Sequence, residues 1–150
     1  LDDFLYVQKL SLFAPFALVK LFLNNLNDNA VIINISSTRA FQSQADWESY
    51  SAAKGGIISL THAMAVTLKG KARVNSISPG WIDTIGYNFS PSDITQHPSN
   101  CVGEPVDIAN AVLFLCSNKS KFITGENIVI DGGMSKLMVY HNDEGWTYSN

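Results

Sequence analysis

With 150 residues, 46% of them hydrophobic, the chain has the length of one ordinary domain and enough apolar mass for a core. Only 15% are charged, and 10 basic against 13 acidic groups leave a net charge of −3. That balance argues against a disordered chain and gives no reason to expect nucleic acid or an anionic membrane as a partner.

Residues 3–26 predict a helix that is apolar almost all round, kinked near Pro15 because a proline nitrogen has no hydrogen to donate to the preceding turn. Its strongly apolar part, residues 10–23, is interrupted by Lys20 and falls short of the roughly 20 apolar residues of a membrane crossing. The expectation is a core helix buried on most sides, and no membrane. An asparagine-rich turn follows, and then AVIINI (30–35), a β-branched run suited to a strand buried on both faces of a parallel sheet. Residues 36–47 are polar and irregular. A helix is predicted over 48–69, where Ala53, Ile57, Leu60, Met64 and Leu68 recur along one face, with Gly70 placed as its stop.

ARVNSIS (72–78) predicts a second strand, halted by Pro79–Gly80. Residues 81–103 form a long loop with room for one short helix, and loops of this length in a compact domain are usually functional. Pro105 suits the first position of a helix running to about residue 117. Residues 127–130 predict a third strand, ended by Asp131–Gly132–Gly133, and residues 134–150 an extended tail. Cys101 and Cys116 lie in no metal-binding spacing, so they read as two reduced thiols of a cytoplasmic protein, with no metal site.

Alternating helices and strands imply an α/β fold: a Rossmann-like parallel sheet of about three strands with flanking helices. Ligands of such sheets bind beyond the carboxyl ends of the strands. Here those ends are Ser36–Ser37, Pro79–Gly80 and Asp131–Gly132. Thirteen residues beyond the first of them comes Tyr50-Ser-Ala-Ala-Lys54. Residues four apart share a helix face, so phenol and ammonium can point into one site. A nearby ammonium favours phenolate, which suits a phenol to moving a proton to or from an alcohol oxygen near neutral pH. A hydroxyl from the serine pair, with Ser37 lying 13 residues ahead of Tyr50, could hold that oxygen.

The segments IINISS (32–37), YSAAKGG (50–56), RVNSISPGWIDT (73–84) and FITGENIVIDGG (122–133) resemble, in order and spacing, the C-terminal part of the short-chain dehydrogenase/reductase family. The resemblance runs from about residue 4 to residue 134. It implies an oxidoreductase transferring hydride between NAD or NADP and a secondary alcohol or ketone. It further implies that Ser37 polarises the substrate oxygen, that Tyr50 is the acid/base, and that Lys54 binds the nicotinamide ribose and lowers the Tyr50 pKa. Pro79 and Gly80 resemble the turn beside the nicotinamide. Ile82 and Thr84 match positions that meet its carboxamide or the phosphates, and Ile35 would pack near the ring. Asn75 and Asp131 read as structural. Arg39, Gln44, Trp47, Trp81 and the 85–100 loop are expected to border the substrate.

Two departures from the family pattern stand out. Ser11 occupies a position where the family usually has an asparagine that helps hold a water in the proton relay. The glycine-rich TGxxxGxG loop that binds the pyrophosphate is found nowhere in these residues, so the chain reads as the C-terminal catalytic part of a single domain, without the dinucleotide-binding half. The alternative is a truncated or inactive fragment serving as an oligomerising or interaction module. Family members usually assemble through the helices matching residues 3–26 and 49–69, which implies a homodimer or homotetramer.

Overall fold

A computed structural model describes residues 1–148. Its centre is a three-stranded, all-parallel sheet of β1 (Ala30–Ile35), β2 (Ala72–Pro79) and β3 (Asn127–Ile130) in the order β1-β2-β3. Ala30 pairs with Ala72 through Ile35 with Ile77, and Ser76 with Asn127 through Pro79 with Ile130, so all three strands end at one edge. The α/β expectation and the boundaries of β1 and β3 agree with this arrangement.

The middle strand is the most enclosed. Val74, Asn75, Ser76, Ile77 and Ser78 are all fully buried. A buried polar side chain is costly unless it is hydrogen-bonded. Here Asn75 Nδ2 donates to Ile123 O (3.0 Å), and its Oδ1 accepts from Glu126 N–H (3.1 Å). Ser76 and Ser78 both donate to Asn127 Oδ1, at 2.9 and 2.8 Å. These polar residues join β2 to β3 and to the segment before it, which is the structural role expected of Asn75.

The helix α3 (Glu48–Thr67) lies on the sheet, with Ala53, Ile57 and Met64 buried along one face and Leu68 just beyond its end. Met64, Leu68 and Val74 form the apolar core with partly buried Val19, Leu23, Ile32 and Leu60 around them. Asn34 on β1 donates to Thr61 Oγ1 at 2.9 Å, and that hydroxyl donates to Ile57 O at 2.8 Å, tying strand to helix. Gly70, at φ +79°, takes the left-handed conformation that ends a helix at little steric cost. The remaining helices are α4 (Pro91–Thr95), the short helix of the long loop, and α5 (Pro105–Cys116), which opens on its proline as expected.

The N-terminal segment is helical over Asp2–Asn25. It comprises α1 (Asp2–Gln8), a π-helical turn at Lys9–Phe13, α2 (Ala14–Phe22) and a closing 3-10 turn. The irregularity expected at Pro15 thus appears as a widened turn just ahead of it, where the regular ladder would need the missing proline N–H. The expected burial is not observed. No residue of the segment is buried, and Leu10, Phe13, Leu18, Leu21 and Phe22 stand largely exposed. A helix that is apolar all round needs cover on all sides, and this chain covers only the side facing α3. With a mean hydropathy of 1.4 over its most apolar window, the segment is long and apolar enough to cross a membrane by length and composition alone, a condition that the core helix of a soluble protein also meets. The C-terminal tail is less extended than expected. It forms 3-10 turns at Met134–Lys136 and Asp143–Gly145, the second closed by Asn142 N–H donating to Trp146 O (2.8 Å).

Candidate active site

The carboxyl ends of the strands open into a cleft of about 1030 Å³. Ile35, Ser37, Arg39, Gln44, Tyr50, Lys54, Pro79, Gly80, Trp81, Ile82 and Thr84 all line it. Every residue named in the sequence for catalysis, cofactor or substrate is therefore at this one place except Trp47, which is not among the lining residues; of the 85–100 loop only Gln96 reaches it, and Ser11 does not. The Trp47 indole packs edge-on against the Tyr50 ring (5.5 Å, 84°) and beneath the Arg39 guanidinium (4.6 Å).

The two serines at the end of β1 have different surroundings. Ser36 is buried, and its hydroxyl donates to Lys54 O at 2.6 Å, fastening the strand end to the first turns of α3. Ser37 Oγ instead accepts the Arg39 N–H (3.2 Å) at the mouth of the cleft. Its own hydroxyl hydrogen is left to donate to a ligand oxygen.

Tyr50 and Lys54 lie one turn apart on α3, as the spacing requires. The Lys54 ammonium sits 5.5 Å from the centre of the Tyr50 ring and donates to Ile35 O at 2.9 Å. Partial burial holds its pKa below that of a free lysine, because desolvation disfavours the charged form. Ile35 at the strand end is 44% exposed, enough for its side chain to meet a flat ring.

Gly80 fits a close-approach turn. A Cβ there would come within 2.5 Å of Asp131 Cβ and 2.8 Å of its Cα, so no larger residue can pass between the ends of β2 and β3. Asp131 in turn accepts the N–H groups of Gly133 and Ser135 and holds the turn after β3, the structural role expected of it.

Trp81 leaves the end of β2 at the cleft and packs edge-on against Phe89 (5.4 Å, 86°), with His97 behind it at 6.1 Å. His97, which carried no role in the sequence, is buried and bonds through Nδ1 to Asp93 O. It backs the aromatic wall instead of entering the cleft. Thr38, Ile108 and Met134 also line the cleft and were not anticipated, while Gln96 comes from the 85–100 loop expected there. Met134 could have been, since it directly follows a strand-ending Asp-Gly-Gly; Ile108 arrives from α5, whose docking the sequence does not reveal.

A family profile described as Enoyl-(Acyl carrier protein) reductase matches residues 1–135. The chain belongs to the short-chain dehydrogenase/reductase family. An uncharacterized oxidoreductase of Thermotoga maritima is 50% identical over 121 residues, covering 73% of this chain and 47% of the relative. The apo SCOR enzyme from Clostridium thermocellum has 47% identity and a TM-score of 0.90, over 99% of this chain and 60% of that one. A 4-hydroxyisoleucine dehydrogenase solved with NADH has 36% identity and a TM-score of 0.79, over 91% and 61% of the two chains. The chain thus spans about half the length of the curated relatives it matches.

Proposed function

We propose that this chain carries the catalytic part of an NAD(P)-dependent oxidoreductase acting on a secondary alcohol or ketone. The observation that supports this reading most is the convergence of Ser37, Tyr50 and Lys54 on one cleft at the carboxyl edge of a parallel sheet. The nicotinamide cofactor, NAD or NADP, supplies the hydride acceptor or donor. Ser37 donates its hydroxyl hydrogen to the substrate oxygen and fixes its position. Tyr50 takes the alcohol proton in oxidation and returns it in reduction. Lys54 holds the ribose of the cofactor and keeps positive charge beside the phenol.

The residues present fit the nicotinamide end of such a cofactor. Ile35 offers an apolar surface at the strand end, and Pro79, Gly80, Ile82 and Thr84 lie beside it on the cleft wall. Similar structures solved with NADH support a nicotinamide cofactor.

The protein is proposed to be cytoplasmic and free of a membrane. The uncovered face of α1 and α2 is assigned to a second copy of the chain in a homodimer or homotetramer. Titration of NADH and NADPH into the chain and into its full-length polypeptide, followed by fluorescence, tests cofactor binding. In the full-length protein Tyr50→Phe should lower kcat by ~10²- to 10⁴-fold, the usual contribution of a positioned acid/base, while cofactor binding persists. Unchanged turnover by this variant would remove the assignment.

A further inference from the structure

The chain as a whole is negative, with 13 acidic and 10 basic side chains, but its cleft is not. Two cations, Arg39 and Lys54, line it, and none of its lining residues is an Asp or Glu. Lys54 is engaged with Ile35 O beside Tyr50. The half-buried Arg39 guanidinium faces a cleft of polar groups with no carboxylate in its lining, so an incoming anion meets a cation without a counter-charge there.

Arg39 is also held still. Its backbone N–H donates to Ser37 Oγ (3.2 Å), its Nη2 donates to Gln44 Oε1 (2.9 Å), and its guanidinium lies over the Trp47 indole (4.6 Å). Trp47 packs edge-on against Tyr50. The cation is thereby placed relative to both groups assigned to the reacting oxygen: to Ser37 through its backbone and to Tyr50 through the indole. Gln44 and Trp47 occupy one amine and one face of the guanidinium, which leaves further N–H groups in its plane. Planar paired donors match a carboxylate, and a fixed rotamer reduces the entropy lost on binding it.

Resting on the oxidoreductase reading above, we propose that Arg39 is a specificity-determining residue and that the substrate is a hydroxy acid or the matching keto acid. The Arg39 guanidinium clamps the substrate carboxylate while Ser37 and Tyr50 hold the oxygen on the reacting carbon. Gln44 and Trp47 are positioning residues that set the angle of the clamp.

The test compares hydroxy acids with their amides and methyl esters in the full-length polypeptide, reading nicotinamide absorbance. The acid should be favoured in kcat/KM, and Arg39→Gln should reduce that preference by ~10- to 100-fold, the range of a charge-assisted hydrogen bond. The loss should fall on the KM for the acid, with partial recovery in Arg39→Lys. Equal use of acid and amide by the unaltered protein would overturn the proposal. So would an Arg39→Gln variant whose defect lies in the KM for NAD(H) or NADP(H), since the cation would then serve a cofactor phosphate.

A second measurement separates this claim from the catalytic one. Propionate, propionamide and inorganic phosphate are titrated against tryptophan fluorescence, which reports on Trp47 beneath the guanidinium, with Trp47→Phe as control. A saturable change with propionate that Arg39→Gln abolishes supports the clamp even where no alcohol is turned over. Turnover of alcohols with no response to propionate leaves the oxidoreductase reading standing and removes the clamp. A stronger response to phosphate than to propionate also counts against a carboxylate.

Discussion

Adjacent serines at the end of β1 carry the same hydroxyl into different surroundings, and substitution should separate them. Ser36→Ala removes a buried second donor to Lys54 O, which keeps its bond within the helix, and the loss costs about 0.5–1.5 kcal/mol. For a domain of this size, that lowers Tm by roughly 2–4 °C per kcal/mol. Ser37→Ala removes a group at the cleft mouth and should leave stability within about 0.5 kcal/mol. It should still reduce kcat by ~10²-fold or more, as the loss of one donor to a reacting oxygen does elsewhere. Calorimetry and steady-state kinetics on the two variants check this, and a large loss of Tm in Ser37→Ala with little in Ser36→Ala would reverse the roles. The 13-residue step to Tyr50 pointed to Ser37 in the sequence. The task of Ser36 was not readable, because it depends on a backbone carbonyl that only the docking of α3 brings near. Trp47 illustrates the same limit: its neighbourhood was legible, while its place outside the cleft lining was set by packing.

Among the elements, the contact between α3 and the N-terminal helices turns on neighbouring glycines with unequal surroundings. A Cβ on Gly56 would meet Leu12 Cδ2 at 2.8 Å, whereas one on Gly55 meets nothing within 4 Å. Gly55→Ala should therefore stabilise by roughly 0.5–1 kcal/mol, by removing a flexible residue from a helix interior. Gly56→Val should destabilise by about 1–3 kcal/mol, through overpacking against the π-turn. Urea midpoints measured on both decide the matter; equal effects would mean that Leu12 swings aside freely. Spans with a strong period or a β-branched run, such as β1, β3 and α3, were readable because local patterning and tertiary position agree there. The π-turn at Lys9–Phe13 was not, although Pro15 announced some irregularity. A missing N–H can be absorbed by a kink, a wider turn or a break, and the choice belongs to what packs alongside.

For the whole molecule, the parallel sheet followed from alternating helices and strands, but the exposure of α1 and α2 did not. An all-round apolar pattern states how much cover a helix needs and is silent on which chain provides it. The groove of about 800 Å³ between these helices and α3 is lined by Leu5, Leu12, Phe13, Phe16 and Leu60. If a second copy fills it as proposed, light scattering after size exclusion should give a dimer or tetramer, and Phe13→Glu should shift the population towards monomer. A monomeric full-length protein would remove that assignment.

The paired ties between β1 and α3 have a consequence for how the trio of groups proposed for catalysis keeps its shape. Ser36 Oγ reaches Lys54 O, and Lys54 Nζ reaches back to Ile35 O. Strand tip and helix start are thus riveted from opposite sides, and neither can drift without carrying the other. The residues between them in sequence can be lengthened, reshaped or exchanged with the spacing of serine, phenol and amine left intact. A scaffold wired in this way can accept new substrates by altering its rim while its chemical engine stays untouched.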